Sequence, residues 1–269
     1  MADRKRVGGW FTVLAVVGMV AIAFASPAAG GGLDDAWGRG KLLVGVKTDF
    51  PPFGYLDSAG NPQGFDVDVA RYMARALFEQ EGRLELVPVT SGSRIPFLYS
   101  EWIDMIIATM TVTENRKRVL DFSEPYFVSA SMLLVSTGSA ARSIEDLSGK
   151  RVGIIEGSVQ ERDLEQVAPG VKPVAFRDMN EAVAALRGKK VDALFQDDTV
   201  ILVLAKENRD LEAVGKPILP RSYAIAVRKG DDRTLRWINE KLSAMKEDGT
   251  YDRLLEKYFG PVAEKGAKP

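Results

Sequence analysis

Two stretches of the chain follow one plan: RIPFLYSEWIDMIIAT at residues 94–109 and EAVAALRGKKVDALFQD at residues 181–197. Each has a helical pattern, a short polar turn, an Ile-Asp or Val-Asp pair, an apolar strand and a polar stop. Strands that alternate with helices predict an α/β fold with a largely parallel sheet. Because the plan occurs twice, the sequence predicts two similar α/β lobes.

The same alternation continues on both sides of these stretches. Apolar runs predict strands at 41–46, 84–89, 103–108, 151–155, 171–176, 191–195 and 223–227. Helical spacing predicts helices at 65–77, 95–100, 180–187, 233–247 and 251–258. Open α/β sheets bind ligands beyond the carboxyl ends of their strands, next to helix N-termini. We therefore expect the site at the strand ends after Val46, Ala108, Ile155 and Phe195.

Composition excludes several classes of protein. The 269 residues include 36 Lys and Arg against 37 Asp and Glu, and the basic residues are scattered. The chain therefore lacks the basic patch that nucleic-acid binding requires. It contains neither cysteine nor histidine, which excludes Cys and His nucleophiles, the usual zinc sites and disulfides. We expect no metal and no cofactor.

The N-terminus has the pattern of a secretory signal peptide. Arg4, Lys5 and Arg6 precede an apolar run at 10–24, and small residues two apart, Ala23 and Ala25, form a cleavage motif. The run is short for a membrane-spanning helix, which needs about 20 residues, although an uncleaved anchor is the alternative. We expect residues 1–25 to be removed. Without a cysteine at the junction, no lipid anchor is expected.

A cluster of hydroxyls follows the strand at 103–108 in the stretch ATMTVTENRKR, residues 108–118. Thr111 and Glu114 fit a helix-capping box, as do Ser158 and Glu161 after the strand at 151–155. Both caps would present backbone N–H groups and partial positive charge at a strand end. Arg116 adds a guanidinium, which binds a carboxylate through two parallel hydrogen bonds. Ordinary helix caps with a surface arginine remain the alternative.

Two successive aspartates, Asp197 and Asp198, end the strand at 191–195. One of them can cap the next helix, which leaves the other free to face the cleft. A carboxylate in that place suits an ammonium group. Together with Arg116 as the partner of a carboxylate, this arrangement predicts a site for a free amino acid.

Five motifs extend this interpretation to a family. They are GFDVDVA at 64–70, ATMTVTENRKRVLDFSEPYF at 108–127, RVGIIEGSVQE at 151–161, VDALFQDD at 191–198 and EDGTYDRLLEKYFG at 247–260. In this order and spacing the chain resembles, from about residue 42 to 260, the bacterial extracellular solute-binding proteins of polar amino-acid ABC transporters. The resemblance implies a type II periplasmic binding protein fold, with two α/β lobes joined by two crossover strands.

The resemblance also implies boundaries and contacts. Lobe 1 would comprise 33–128 and 222–262, lobe 2 would comprise 129–221, and 263–269 would be a tail. The family pattern places Arg116 on the ligand α-carboxylate and Asp197 on its α-ammonium. It assigns further ligand contacts to the hydroxyls of Thr109, Thr111 and Ser158 and to the ring of Phe50.

The preferred amino acid depends on the part of the site that holds its side chain. Ser91 and Arg94 lie in the loop after the strand at 84–89, and Lys47 lies at the end of the first strand. Such basic residues are similar to those of the glutamate- and aspartate-binding members, so we expect an acidic ligand. Neutral polar ligands such as glutamine are the first alternative. A basic ligand such as arginine would need an acidic contact, for which Asp49 is the candidate.

Function as a transport protein follows from the resemblance. We expect a monomeric periplasmic protein that captures an amino acid and delivers it to an ABC permease in the inner membrane. The alternative is a periplasmic prephenate or arogenate dehydratase on the same fold, which would need a general acid in the cleft. Glu156 is the candidate acid, and a solvated turn glutamate is the simpler interpretation.

Overall fold

The computed structural model describes residues 32–80 and 82–260. The predicted signal peptide at 1–25 and the predicted tail at 263–269 lie outside them. The described helices are α1 (Gly32–Arg39), α2 (Phe65–Phe78), α3 (Arg94–Tyr99), α4 (Glu114–Lys117), α5 (Gln160–Val167), α6 (Met179–Arg187), α7 (Asp198–Glu207), α8 (Asp232–Glu247) and α9 (Thr250–Phe259). Within the described ranges, none of the helices combines the length and the apolar character needed to cross a membrane.

The described strands are β1 (Leu42–Val46), β2 (Asp49–Phe50), β3 (Gly54–Leu56), β4 (Pro62–Gln63), β5 (Leu84–Pro88), β6 (Met105–Ile106), β7 (Leu120–Phe122), β8 (Phe127–Ser136), β9 (Arg151–Ile155), β10 (Lys172–Phe176), β11 (Ala193–Asp197), β12 (Leu211–Tyr223) and β13 (Ala226–Arg228). The first five-stranded sheet has the order β5-β1-β6-β13-β7. Its strands β5, β1 and β6 are parallel, and β13 runs antiparallel to both neighbours. A small antiparallel sheet, β2-β3-β4, follows β1.

The second five-stranded sheet has the order β10-β9-β11-β8-β12. Its strands β10, β9 and β11 are parallel, whereas β8 and β12 are antiparallel additions. The prediction of two similar α/β lobes is therefore confirmed. The predicted parallel pairing holds for three strands of each sheet, and the remaining strand pairings in each sheet are antiparallel.

The internal repeat has a physical basis. In each lobe an aspartate forms two hydrogen bonds that join the start of a central strand to its neighbour, β6 to β1 in the first lobe and β11 to β9 in the second. Asp104 donates its backbone N–H to Leu43 O at 2.8 Å, and its carboxylate accepts the Leu43 N–H at 2.8 Å. Asp192 forms the same pair of bonds with Arg151, at 2.8 and 2.9 Å. Each aspartate directly precedes a central strand, β6 or β11, and its two hydrogen bonds join the start of that strand to the neighbouring strand. The aspartates of the Ile-Asp and Val-Asp pairs in the sequence form these hydrogen bonds.

Strands β8 and β12 pair side by side: the chain passes from the first sheet to the second through β8 and returns through β12. The pairing matches Phe127 with Tyr223 and Ser129 with Arg221. We propose that these strands are the two crossovers and that the lobe boundaries lie at 128/129 and 221/222. A ligand between the lobes would then lie next to both crossovers.

An aromatic cluster anchors the crossovers to the first lobe. The ring of Phe127 lies 4.9 Å from Phe53 and 4.8 Å from Phe259, measured between ring centroids. The hydroxyl of Tyr251 donates to the carbonyl of Tyr126 at 2.6 Å. Helix α9, near the end of the described chain, therefore packs on the first lobe after the chain has returned from the second.

Candidate functional site

The predicted strand ends face one another across the gap between the two lobes. Arg116, beyond β6, donates from Nη2 to the carbonyl of Gly157, beyond β9, at 2.9 Å. Asp49, beyond β1, accepts the backbone N–H of Met179 at the start of α6 at 2.7 Å. The lobes thus meet where the sequence places the site.

Arg116 is a half-buried cation at this junction. Its Nη1 donates to the carbonyl of Thr111 at 2.8 Å, which fixes the guanidinium beside the hydroxyl-rich turn. Burial, followed by the nearby charge of Arg94, lowers the pKa of Arg116 to about 9, so it remains charged at neutral pH. It can therefore bind an anionic group between the lobes.

The first predicted capping box is wrong in its register. Helix α4 begins two residues later, with Thr113 as its N-cap, and the Thr113 side chain accepts the Arg116 N–H at 3.2 Å. Thr111 is instead buried and bridges to Tyr223 on the crossover strand. Because Thr113 caps the helix, the Thr111 side chain is available to the cleft. Either threonine is a suitable N-cap residue. Glu114 completes the capping-box pattern for Thr111 alone, and the tertiary pairing of Thr111 with Tyr223 overrides that local signal.

The second predicted capping box is also wrong. The N-cap of α5 is Val159, with a helical backbone and no side-chain capping bond. The Ser158 Oγ is buried and has no hydrogen-bond partner among the described residues. A buried hydroxyl without a partner is costly, so Ser158 is suited to bind a polar ligand atom in the cleft.

Asp197 supplies the negative charge of the site. It is buried at the end of β11, and its Oδ1 accepts a hydrogen bond from Gln160 Nε2 at 2.8 Å. Asp198 takes the structural role instead, because its Oδ1 accepts from Ser129 Oγ and from the N–H groups of Ala130 and Thr199. Burial raises the pKa of Asp197 to about 6, so the carboxyl is mostly ionised at neutral pH.

Lys47, Ser91 and Phe50 come together on the other side of the site. Lys47 is only 1% exposed, and its Nζ donates to Ser91 Oγ at 2.9 Å. The Nζ also lies 4.3 Å from the centroid of the Phe50 ring, a cation–π contact. Burial lowers the pKa of Lys47 to about 8, although the carboxylate of Asp49 opposes this. No ion pair to Lys47 occurs in the described part of the chain.

Arg94 is a second buried cation near Lys47. The exchange of hydrogen bonds between Thr90 and Ser93 folds the loop before α3, so that Arg94 points inward with 2% exposure. Its Nη1 donates to the carbonyls of Ala108 and Thr109, the latter at 3.1 Å. Its Nε is buried without a partner among the described residues. Burial lowers the pKa of Arg94 to about 10, which leaves it charged.

Thr109 adopts an unusual backbone conformation, with a φ of 46°. Its N–H donates to the carboxylate of Asp66 at 2.8 Å, and Asp66 also accepts from the Tyr126 hydroxyl at 2.9 Å. Asp66, fully buried at the start of α2, thus holds the turn that carries Thr109. Burial raises its pKa to about 7. The motif GFDVDVA contains this residue, but the sequence pattern alone does not reveal its supporting role.

Two further residues of the site were not predicted. Gln160 donates to Asp197 and to Ser131 Oγ, the latter at 3.1 Å, so it orients the carboxylate. Tyr223 is 1% exposed on the crossover strand beside Thr111. Gln160 stands in the motif RVGIIEGSVQE and could have been considered from sequence. Tyr223 could not, because its place depends on how the crossovers pair.

The arrangement is suited to a small molecule that carries both charges. Arg116 can bind a carboxylate, Asp197 can bind an ammonium group, and Lys47 with Arg94 can bind a second polar or anionic group. The described residues form no cluster of side chains able to hold a metal ion. Glu156 is exposed on the turn after β9, which is a poor position for an acid that must protonate a buried substrate.

Comparison with known proteins identifies the family of the chain. The sequence pattern of the bacterial extracellular solute-binding proteins, family 3, matches residues 42–261. The ABC transporter glutamine-binding protein GlnH of Bacillus subtilis is 39% identical over 221 residues, which cover 81% of this chain and 81% of that protein.

Two solved structures are similar as well. An ancestral arginine-binding protein bound to glutamine is 42% identical, with a TM-score of 0.78, and the match covers 82% of this chain and 99% of the other. An ancestral amino acid-binding protein described as a precursor of cyclohexadienyl dehydratase is 34% identical, also with a TM-score of 0.78, over 84% of this chain and 99% of the other.

Proposed function

The chain belongs to the bacterial extracellular solute-binding proteins of family 3, and from this premise we propose that it captures glutamate or aspartate for an ABC transporter. In this family the general activity is amino-acid binding for transport. The proposal concerns the ligand and the residues that hold it. Arg116 would bind the α-carboxylate and Asp197 the α-ammonium. Thr109, Thr111 and Ser158 would supply hydroxyl contacts, and Phe50 would cover the aliphatic part of the ligand.

The observation that carries the acidic assignment is the pair of buried cations, Lys47 and Arg94. Their exposed fractions are 1% and 2%, so water stabilises neither charge well. A buried charge is costly unless it is paired. The carboxylate of Asp49 lies near Lys47 but is bonded to Met179 N. A carboxylate on the ligand side chain would provide the counter-charge for both cations, and the neutral hydroxyl of Ser91 would lie beside it.

Glutamine is a second candidate, and the similar proteins favour it. The Bacillus relative is named as a glutamine-binding protein, and one similar structure is of an ancestral arginine-binding protein bound to glutamine. A glutamine side-chain carbonyl could accept from Lys47 or Arg94. Its amide N–H groups would need an acceptor, for which Ser91 Oγ is available. The charge of the two cations favours the acid over the amide.

Asp49 does not support a basic ligand. A basic side chain would need an uncompensated carboxylate at the side-chain end of the site, and the charge of Asp49 already acts on neighbouring Lys47, while its Oδ2 accepts from Met179 N at 2.7 Å. Lys47 would also repel a ligand cation. We therefore propose that arginine and lysine bind weakly.

We also propose that the protein serves transport rather than dehydration of prephenate or arogenate, because Glu156, the candidate acid, is exposed.

The charged contacts also determine the affinity that we expect. Charge-assisted hydrogen bonds contribute about 1.5–3 kcal/mol each, so several of them, less the ordering costs, give a Kd in the micromolar range or below, about −8 kcal/mol. The predicted signal peptide at 1–25 supports a periplasmic location. We propose that the protein acts there as a monomer and delivers its ligand to a permease in the inner membrane.

Replacement of Lys47 with methionine tests the acidic assignment. The change removes the charge and keeps an unbranched apolar side chain of similar length beside Phe50. We expect the Kd for glutamate to rise about 10- to 100-fold, because one charge-assisted bond is lost, and the Kd for glutamine to change much less. Isothermal titration calorimetry with both ligands measures the difference.

The pH dependence provides a second readout of the same cation. Since the pKa of Lys47 is about 8, its charge is lost as the pH rises through that value, and glutamate affinity should fall there. The Lys47→Met variant should lack this fall. Lys41→Met is the matched control, because Lys41 is exposed and pairs with Glu85 at 3.1 Å. Equal losses for glutamate and glutamine in Lys47→Met would refute the acidic assignment.

A further inference from the structure

The two lobes touch through backbone at one point beside the site. Gly157 lies in the turn after β9, in the second lobe, with a φ of 72°. A Cβ placed on Gly157 would lie 2.8 Å from the Cα and 2.9 Å from the N of Gly92, and 3.0 Å from the carbonyl oxygen of Ser91, all in the first lobe. Real Cβ atoms essentially never approach other heavy atoms to under 3.0 Å. The absence of a side chain on Gly157 therefore permits this contact.

The contact adjoins binding residues in both lobes. The carbonyl of Gly157 accepts from Arg116 Nη2 at 2.9 Å, and Ser158 is the next residue. Across the gap, Gly92 follows Ser91, whose hydroxyl accepts from Lys47 at 2.9 Å. The separation of the lobes at Gly157 therefore also determines how closely Ser158 approaches the groups of the first lobe that would hold the ligand.

A second contact between the lobes is less rigid. Asp49 reaches Met179 N through a side chain, whose rotation can adjust to small changes in spacing. The contact at Gly157 involves the backbone of both partners and has no such freedom. Close-packed backbone transmits displacement rather than absorbing it. The contact at Gly157 therefore limits how closely the two lobes can approach each other.

We propose that Gly157 is a positioning residue that determines how far the lobes close, and through this the affinity for the ligand. The inference rests on the proposed amino-acid-binding function. Closure to backbone contact brings Ser158 and the Gly157 carbonyl against the ligand anchored by Arg116. A side chain at 157 would act as a wedge and hold these groups apart, although it would leave every binding side chain in place.

Gly157→Asn tests the inference, with Gly138→Asn as the matched control. Asparagine tolerates the left-handed backbone region, so neither variant carries a large folding cost. Gly138 has a φ of 83°, and a Cβ there would meet no described heavy atom within 4 Å. Gly157→Ala and Gly138→Ala form a second pair, in case the asparagine variant does not fold. Thermal melts establish folding, calorimetry with glutamate and glutamine gives affinity, and small-angle X-ray scattering gives compaction on binding.

We expect the Gly157 variants to bind about 5- to 150-fold more weakly than the Gly138 variants, since overpacking of this kind costs about 1–3 kcal/mol. Their compaction on ligand addition should be smaller than that of the wild-type protein. Equal affinity and equal compaction in the two sets of variants would overturn the inference and leave the proposed function intact. If the wild-type protein and the Gly138 variants bind no amino acid, the proposed function fails, and the inference fails with it.

Discussion

Replacement of Arg116 with alanine should weaken the binding of every amino acid that the protein accepts by about 2–5 kcal/mol, the usual cost of removing one partner of a buried charge pair. The Thr111 carbonyl holds the guanidinium within its own lobe before the ligand arrives, and Gly157 of the other lobe accepts a second bond from it. Without it, the α-carboxylate would be buried without a partner. Because all amino acids carry this group, the loss should not depend on the side chain. Calorimetry with glutamate, aspartate and glutamine measures it.

Arg118→Ala is the matched control for this prediction. Arg118 is exposed and lies two residues further along, so its removal makes the same change in net charge outside the site. Its affinity should remain within about fivefold of wild type, since an exposed charge is worth at most about 1 kcal/mol. Melting curves must show that Arg116→Ala is folded. An Arg116→Ala protein that is folded and retains wild-type affinity would disprove the role of Arg116.

The second large effect is expected at Asp197. The change Asp197→Asn keeps the shape of the side chain, and its amide oxygen can still accept from Gln160. It removes the charge, so the ligand ammonium would be buried without a counter-charge, at a cost of about 2–5 kcal/mol. Calorimetry should show this loss for all ligands. Asp198→Asn places the same charge change one residue away, where the carboxylate serves Ser129 and Ala130, and it should cost much less affinity.

The pH dependence of binding distinguishes an ionised Asp197 from a merely structural one. Burial raises the pKa of Asp197 to about 6. As the pH falls through this value, the carboxyl gains a proton and loses its attraction for the ammonium, so affinity should decrease below about pH 6 in the wild-type protein. Asp197→Asn should lack this decrease. If affinity falls in the same way in both proteins, the titrating group is not Asp197.

The sequence predicted the architecture well because the relevant signals are local. Strand–helix alternation and the repeated Ile-Asp and Val-Asp pairs indicate two α/β lobes, and Asp104 and Asp192 do fasten corresponding strands. The antiparallel strands β8 and β12 are not local features. Their pairing, such as Phe127 with Tyr223, joins residues far apart in the chain, so no periodicity reveals it.

The predicted site residues come together in the structure, although their local roles were partly misjudged. The sequence pattern fits both Thr111 and Thr113 as a helix cap, and the pairing of Thr111 with Tyr223 decides between them. Ser158 fits a capping box, yet its hydroxyl faces the interior. The supporting residues Asp66 and Gln160 escaped prediction because their importance arises from contacts with Thr109 and Asp197. Those contacts exist only in the folded chain.

We propose above all that the site takes an amino acid with an acidic side chain. Calorimetric titration of the wild-type protein with the common amino acids at pH 7, after removal of any bound ligand by unfolding and refolding, is the decisive experiment. We predict that glutamate or aspartate binds most tightly, with glutamine weaker, and that arginine and lysine are weaker by at least about 100-fold, since buried Lys47 would face a like charge. Tightest binding of arginine, or of glutamine over both acids, would contradict the claim.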